Sequence, residues 1–165
     1  MKYGFIGCGN MGGALIRAAA KQTKDIMISD YDTKKAEALA NELGLTVGDN
    51  YTVAAECSRI FLGVKPQFMQ EMLGDIKDVL EEKKPILISM AAGLTTNKIK
   101  EFAGDMPVIR IMPNTPVSVG KGVVLYCANG VEKSVIVDFI NDMQYSGRLY
   151  QIDEAIMDAV CSVSG

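Results

Sequence analysis

Two patterns of apolar and polar positions alternate along this chain. Short, mostly apolar runs are typical of buried strands, and they predict strands at 2–6, 25–29, 59–64, 85–90, 108–112, 122–126 and 148–152. Between them lie segments whose apolar residues recur every three or four positions, as on one face of a helix. This spacing predicts helices at 11–21, 33–43, 66–82, 95–102, 131–143 and 153–164.

The alternation of strands and helices predicts an α/β fold of the Rossmann type: a doubly wound, mostly parallel sheet with helices on both faces. Sequence rules also place Gly44 after the end of one helix and Pro66 in the first turn of another. We expect residues 1–152 to form one domain and residues 153–165 to begin the connection to a second. In such sheets, ligands bind at the carboxyl ends of the strands.

A glycine-rich turn follows the first predicted strand. Residues 7–12 read Gly-Cys-Gly-Asn-Met-Gly, a G-x-G-x-x-G pattern that opens a predicted helix. The first glycine permits a tight turn, the second lets backbone amides approach a pyrophosphate, and the third allows close packing of helix and strand. The unpaired N–H groups of the helix N-terminus favour an anion there. This context predicts a dinucleotide site.

Asp30 ends the second predicted strand, 18 residues after Gly12. A carboxylate at this place accepts hydrogen bonds from the adenosine ribose and repels a 2′-phosphate, which favours NAD. Lys34 and Lys35 follow closely and would offset the charge of such a phosphate, or else form a solvated helix face. Asp32 has a simpler interpretation as the N-cap of the next helix. The choice between NAD and NADP therefore stays open.

Three later strand ends carry further candidates. Lys65 follows the strand at 59–64, where it is either a ligand-facing cation or a surface lysine. Small residues at 91–93 leave room for a flat ring, or else pack a tight turn. Asn114 stands in a loop stiffened by Pro113 and Pro116, where it is placed to hydrogen-bond a ring substituent or to form an ordinary turn.

Composition excludes several classes of function. The 165 residues carry a net charge of −3 and include no histidine, which excludes Ser-His-Asp catalysis and His-ligated zinc sites. The acidic balance argues against a nucleic-acid partner. The longest uncharged stretch, residues 3–16, is too short to cross a membrane. Four cysteines without a C-x-x-C pair suggest reduced thiols in the cytoplasm.

Five segments of the chain resemble the pyrroline-5-carboxylate reductases. They are Gly-Phe-Ile-Gly-Cys-Gly-Asn-Met at 4–11, Val-Lys-Pro-Gln at 64–67, Ser-Met-Ala-Ala-Gly at 89–93, Met-Pro-Asn-Thr-Pro at 112–116 and Asp-Ala-Val-Cys-Ser-Val-Ser-Gly at 158–165. The first is shared with other Rossmann enzymes, whereas the second and fourth make the match specific. The resemblance implies reduction of the C=N bond of Δ1-pyrroline-5-carboxylate to L-proline with NADP or NAD as cofactor.

The resemblance also implies roles for individual residues. The pyrophosphate would lie against Ile6, Gly7, Cys8, Gly9, Asn10 and Met11, with Asp30 beside the adenosine ribose. Gly12, the third glycine of the motif, completes the predicted cofactor-binding turn. The rest of the cofactor would contact Asn50, Val64, Lys65, Pro66, Ala92 and Asn114. Without the resemblance, the sequence predicts Asn50 as a turn residue. Glu154 matches a position near the bound imino acid. No catalytic acid or base is assigned, apart from the hypothesis that Lys65 donates a proton.

Two departures from the family matter. Relatives that use NADP usually carry a small hydroxyl residue in place of Asp30. The family also continues into a helical domain that forms the homo-oligomer and completes the substrate site, so we expect the 165-residue chain to be inactive alone. The alternatives are another Rossmann enzyme, such as a 3-hydroxyacid dehydrogenase or a coenzyme F420-dependent NADP reductase, and a dinucleotide-binding module without catalysis.

Overall fold

The computed structural model describes residues 1–164, with side chains described for residues 1–160. Gly165, the last residue of the predicted segment 153–165, lies outside the described residues. The strands are β1 (Tyr3–Ile6), β2 (Ile26–Ser29), β3 (Thr46–Val47), β4 (Arg59–Leu62), β5 (Ile86–Ser89), β6 (Val108–Pro113), β7 (Gly122–Asn129) and β8 (Gly147–Gln151). The α-helices are α1 (Asn10–Ala20), α2 (Thr33–Leu43), α3 (Asn50–Glu56), α4 (Pro66–Asp75), α5 (Lys77–Lys83), α6 (Thr96–Ala103), α7 (Lys133–Met143) and α8 (Glu154–Ser164).

One sheet contains these strands in the order β3-β2-β1-β4-β5-β6-β7-β8. The six strands from β3 to β6 are parallel, whereas β7 runs antiparallel to β6 and β8 runs parallel to β7. A short connection containing a 3-10 helix at Thr115–Val119 joins β6 to β7, which is too short for a parallel crossover. The predicted mostly parallel, doubly wound sheet is therefore confirmed.

Helices cover both faces of the sheet, and each face has its own apolar core. On one face, side chains of alternate strand positions pack against α1, α2 and α7. On the other face, the intervening positions pack against α3, α4, α5 and α6. Phe5 and Phe61, on neighbouring strands, stack with ring centroids 4.3 Å apart in the first core. The continuous apolar strands of the sequence follow from this burial on two sides.

Helix ends agree with the local signals in the sequence. Asp32 caps α2 by accepting a hydrogen bond from the Lys34 N–H at 3.1 Å, as predicted. Gly44 ends the same helix with φ +72°, the left-handed conformation that glycine adopts without strain. Pro66 stands in the first turn of α4, also as predicted.

Two predictions about the elements were wrong. The single helix expected at 66–82 is divided into α4 and α5 by Ile76, whose φ of −115° and ψ of 11° are not helical. Gly74, a weak helix former, precedes this break. Asn50 is not a turn residue but the first residue of α3. Its neighbour Asp49 caps that helix by accepting a hydrogen bond from the Thr52 N–H at 2.7 Å. Hydrogen bonding to Thr52 lowers the pKa of Asp49.

A buried polar cluster holds the amino end of β1 against α7. The hydroxyl of Tyr3, which is 1% exposed, donates a hydrogen bond to Asp142, and Lys2 Nζ lies 2.8 Å from the same carboxylate. Arg59 lies over the Tyr3 ring at 5.8 Å. Burial, together with the Asp142 carboxylate, raises the pKa of Tyr3 well above its usual range. The phenol therefore stays protonated and acts as a donor at all ordinary pH values.

We expect Tyr3→Phe to lower the free energy of unfolding by about 1–3 kcal/mol, because it removes a hydrogen bond to a buried carboxylate. Urea unfolding followed by circular dichroism measures this difference. Tyr126→Phe is the matched control, since Tyr126 is 5% exposed and its hydroxyl has no hydrogen bond among the described residues. Equal losses in the two variants would contradict the role given to the Tyr3–Asp142 bond.

Candidate functional site

The glycine turn lies where the strand order reverses, between β1 and β4, at the carboxyl edge of the parallel strands. Gly7 has φ +105°, and a Cβ there would lie 2.7 Å from the backbone of Gly63 in the loop after β4. Gly12 faces the Gly7 carbonyl oxygen so closely that a Cβ would overlap it. Both positions therefore require glycine for close packing of the backbone.

Gly9 is different from the other two glycines of the motif. Its φ of −68° suits any residue, and a Cβ at this position would have no atom within 4 Å. Gly9 is the N-cap of α1 and provides no side-chain cap, so the first N–H groups of the helix remain for an external acceptor. The open space at Gly9 therefore fits the anionic pyrophosphate of a dinucleotide.

Asp30 joins the glycine turn to the end of β2. Its Oδ2 accepts a hydrogen bond from the Cys8 N–H at 2.6 Å, and its Oδ1 accepts one from the Asp32 N–H at 2.8 Å. The carboxylate is thus held beside the turn, at the place where the sequence predicts the adenosine ribose. Nearby, the Ser29 hydroxyl donates to Asn50 Oδ1 at 2.7 Å, which fixes the start of α3 at the same edge.

The Cys8 side chain points into the protein. It is 5% exposed, and its Sγ lies 3.4 Å from the Ser29 carbonyl oxygen. Burial, and then the nearby Asp30 carboxylate, raises the pKa of the Cys8 thiol to about 12. A protonated, buried thiol is a poor nucleophile, so Cys8 contributes its backbone rather than its sulfur to the site.

A cleft of about 720 Å³ opens beside the glycine turn. Its walls contain four of the residues predicted from the sequence, which are Cys8, Gly9, Asn10 and Met11. The remaining walls come from α1, α2 and the 3-10 helix, and they consist of Gly13, Ala14, Arg17, Lys35, Ala38, Leu39, Glu42, Thr115 and Ser118. A cleft of this size is in the range of small-molecule and cofactor sites.

The sequence does not predict most of these additional cleft-lining residues as part of a site. Positions 35, 38, 39 and 42 lie on one face of α2, where the sequence offers Lys35 as a phosphate-facing or solvated lysine and Leu39 as a core residue but gives no signal for Ala38 or Glu42. Thr115 and Ser118 gave no signal, because the 3-10 helix was not predicted. Their hydroxyl groups bring hydrogen-bonding capacity to the cleft from a segment more than 100 residues after the glycine turn.

The candidates after β4 and β5 lie at the same edge but outside the walls of the cleft. Val64 is half-buried, whereas Lys65, Pro66 and Ala92 are exposed. The Lys65 ammonium makes no ion pair or hydrogen bond with the described residues. Its exposure fits either of the interpretations made from the sequence.

Asn114 follows the last residue of β6. Its Oδ1 accepts a hydrogen bond from the Val123 N–H at 2.9 Å, so the side chain ties the loop to the second residue of β7. Its backbone carbonyl accepts a further bond from the Val117 N–H at 3.2 Å. The turn interpretation of Asn114 therefore agrees with these contacts, and only its amide NH₂ remains available to a ligand.

Glu154 lies at the start of α8, away from the glycine turn. Its carboxylate accepts hydrogen bonds from Thr96 N and Thr96 Oγ1, at 2.9 and 2.8 Å, and from Arg110 Nη1 at 3.3 Å. The buried Arg110 also pairs with Asp158, one helical turn further along α8, at 2.6 Å. Burial acts to lower the pKa of Arg110, but the two carboxylates raise it overall. These contacts hold α8 against α6 and β6.

The fold and the glycine turn together define a Rossmann-type α/β protein. The chain belongs to the family described as NADP oxidoreductase, coenzyme F420-dependent, whose model matches residues 2–93. Within the described residues, every helix falls short of the length and apolar character that a membrane crossing demands.

Relatives of known name extend the similarity over nearly the whole chain. The chain is 32% identical to a pyrroline-5-carboxylate reductase of Corynebacterium melassecola, over 97% of this chain and 62% of the relative. It is 33% identical to that of Escherichia coli, over 99% of this chain and 63% of the relative.

A solved structure gives the same result. The pyrroline carboxylate reductase of Plasmodium falciparum, with NADP bound, has a TM-score of 0.82 and 30% identity, over 100% of this chain and 62% of that one. These matches confirm the resemblance inferred from the sequence motifs. The chain spans less than two thirds of the length of these relatives.

Proposed function

We propose that this chain binds a nicotinamide dinucleotide, NADP or NAD, and is the cofactor-binding part of a pyrroline-5-carboxylate reductase. The open space at Gly9, above the uncapped start of α1 and beside a cleft of about 720 Å³, carries the proposal. Similarity to the reductases over 97% or more of the chain supports the reaction, because it extends well past residue 93. Residues 94–165 include the Met-Pro-Asn-Thr-Pro segment at 112–116.

In this proposal, different residues at the carboxyl edge of the sheet contact different parts of the cofactor. The turn from Ile6 to Gly12 surrounds the pyrophosphate, with the uncapped N–H groups at the start of α1 facing it, and Asp30 holds the adenosine ribose. The nicotinamide half lies along the ends of β4, β5 and β6. The residues proposed for that half are Val64, Lys65, Pro66, Ala92 and Asn114. Asn50 is proposed to contact the cofactor from the start of α3, beside the end of β2.

The proposed reaction requires little acid–base catalysis by these residues. When bound, the reduced nicotinamide supplies the hydride for the C=N bond of Δ1-pyrroline-5-carboxylate, and L-proline is the product. The protein positions the ring against the edge of the sheet and excludes water. Lys65 is the proposed proton donor, because its exposed ammonium lies after β4 at this edge. The absence of histidine from the sequence is compatible with a reaction in which the cofactor supplies the hydride and the protein mainly positions the ring.

The proposed substrate contact comes from the start of α8. Glu154 is the proposed contact for the imino acid, and this assignment rests on the family resemblance, because both carboxylate oxygens already accept hydrogen bonds inside the protein. We further propose that residues 1–152 form the cofactor domain and that 153–165 begin a connection to a helical domain. That domain would complete the substrate site and form the homo-oligomer. The relatives are longer than the part that this chain matches, which is 62–63% of their length, and this difference motivates the proposed second domain.

The proposed location is the cytoplasm, with a small imino acid as the partner molecule. The cysteines Cys8, Cys57 and Cys127 are free thiols, which suits a reducing compartment. A net charge of −3 gives no support to a nucleic-acid partner.

Calorimetric titration of the chain with NADH, NADPH and ADP-ribose tests the cofactor assignment. We expect at least one dinucleotide to bind with a stoichiometry of one per chain, and ADP-ribose to bind more weakly because it lacks the nicotinamide. We expect no measurable proline synthesis by these 165 residues. Failure of both dinucleotides to bind would overturn the proposed function, and proline synthesis by the chain alone would overturn the proposed division into domains.

A further inference from the structure

We propose that the hydroxyl groups of Thr115 and Ser118 donate hydrogen bonds to the pyrophosphate of the bound dinucleotide, on the side opposite to the glycine turn. We call these two side chains the hydroxyl wall. They belong to the 3-10 helix between β6 and β7, and both line the cleft of about 720 Å³. The inference rests on the proposed function and adds a second segment, distant in the sequence, to the part of the site that holds the anion.

The two hydroxyl groups lie on one side of their segment because a 3-10 helix has three residues per turn. Side chains three positions apart are eclipsed in such a helix, and Thr115 and Ser118 are three positions apart. Val117 lies on a different side and is fully buried in the core that also contains α1. The segment thus packs Val117 into the protein and presents both hydroxyl groups to the cleft.

Contacts with β7 fix the 3-10 helix in place. Asn114, directly before the helix, accepts a hydrogen bond from the Val123 N–H at 2.9 Å. A Cβ at Gly122 would overlap Val117, so the start of β7 packs directly against the helix. Because these contacts exist without a ligand, binding does not have to order the hydroxyl wall, and the entropic cost of binding is lower.

Both hydroxyl groups are available as donors. Ser118 Oγ donates to the Thr115 carbonyl oxygen at 3.5 Å, which is long for a hydrogen bond between oxygen atoms, so this bond is readily exchanged for a better one. The Thr115 hydroxyl makes no hydrogen bond with the described residues. Arg17, a cation on the same cleft, already pairs with Glu42 at 2.6 Å. The hydroxyl wall is therefore less committed to other partners than this nearby charged donor.

The start of α1 can serve only one side of a pyrophosphate. Its uncapped N–H groups face the phosphate oxygens that point towards the helix, whereas the oxygens on the far side need other donors. The space between is open, because a Cβ at Gly9 would have no atom within 4 Å and one at Gly13 would have only the Cys8 carbonyl oxygen, at 3.6 Å. A hydroxyl group that donates to a charged oxygen forms a shorter and stronger bond than one to a neutral acceptor.

Calorimetry with NADH and NADPH tests the hydroxyl wall. Ser118→Ala and Thr115→Val each remove one hydroxyl group with little change of shape, and we expect each to weaken dinucleotide binding by about three- to tenfold. Ser118→Thr keeps a hydroxyl group and is expected to bind within about twofold of the unsubstituted chain. Ser134→Ala, at an exposed position of α7, is the matched control and should leave the affinity unchanged.

Phosphorus NMR of the bound dinucleotide distinguishes a direct contact from a general change of structure. We expect the ³¹P resonances of the bound pyrophosphate to shift in Ser118→Ala and Thr115→Val and to stay in place in Ser134→Ala. Unchanged affinity in both hydroxyl-deleted variants, or weaker binding with unchanged ³¹P resonances, would overturn the inference and leave the proposed function standing. Failure of the unsubstituted chain to bind either dinucleotide would overturn the proposed function itself.

Discussion

Gly9→Asp is expected to lower the affinity for the dinucleotide by at least about 100-fold without destabilising the fold. The new side chain would occupy the open space above α1 and place a negative charge at the proposed position of the pyrophosphate. The same aspartate is a favourable N-cap, and its charge agrees with the helix dipole, so the thermal unfolding temperature should stay level or rise. Calorimetry and thermal unfolding measure the two effects separately.

Two further variants show which property of Gly9 matters. Gly9→Asn keeps the capping ability but adds no charge, and we expect a smaller loss of affinity from filling the space alone. Gly12→Ala should instead damage the fold, by about 2–4 kcal/mol, because its Cβ would overlap the Gly7 carbonyl oxygen. Undiminished binding in Gly9→Asp would show that the ligand does not approach the glycine turn at Gly9.

Arg110→Met is expected to lower the free energy of unfolding by about 2–4 kcal/mol and to loosen α8. Arg110 is 1% exposed, and the substitution would leave the Glu154 and Asp158 carboxylates without their cation. Removing one partner of a buried ion pair typically costs about 3–5 kcal/mol, and the solvent access of Asp158 reduces that figure here.

Hydrogen exchange followed by mass spectrometry locates the effect of this substitution. We expect faster exchange in 154–160 and in the first turn of α6, because Glu154 accepts bonds from Thr96 there. Arg148→Met, at an exposed position of β8, should change neither the stability nor the exchange of α8. A uniform increase of exchange over the whole sheet would contradict a local role for Arg110.

Local signals predicted much of this fold from sequence because each depends on a few neighbouring residues. Asp32 and Gly44 mark the ends of α2 through capping and a left-handed turn, and within the glycine turn Gly12 is required by its close approach to Gly7. The short α3 was missed since a helix of seven residues has too few turns for its apolar spacing to be distinctive.

The remaining features depend on residues far apart in the sequence. The family resemblance places Glu154 near the substrate, but no residue near it in the sequence indicates its hydrogen bonds to Thr96 and Arg110. The wall of the cleft formed by Thr115 and Ser118 likewise depends on the antiparallel turn between β6 and β7. Such contacts come from the packing of the whole sheet, which periodicity along the chain does not encode.

The two-sided cleft links ligand binding to folding. One wall comes from residues 8–14 and another from Thr115 and Ser118, so a ligand held between them binds only when β6 and β7 have joined the sheet. Such a ligand stabilises the native state by mass action, by about 2.7 kcal/mol at a concentration 100 times its dissociation constant. The cofactor would then act as a non-covalent cross-link between the beginning and the late part of the chain. A variant in which β6 and β7 do not join the sheet would bind the cofactor less tightly.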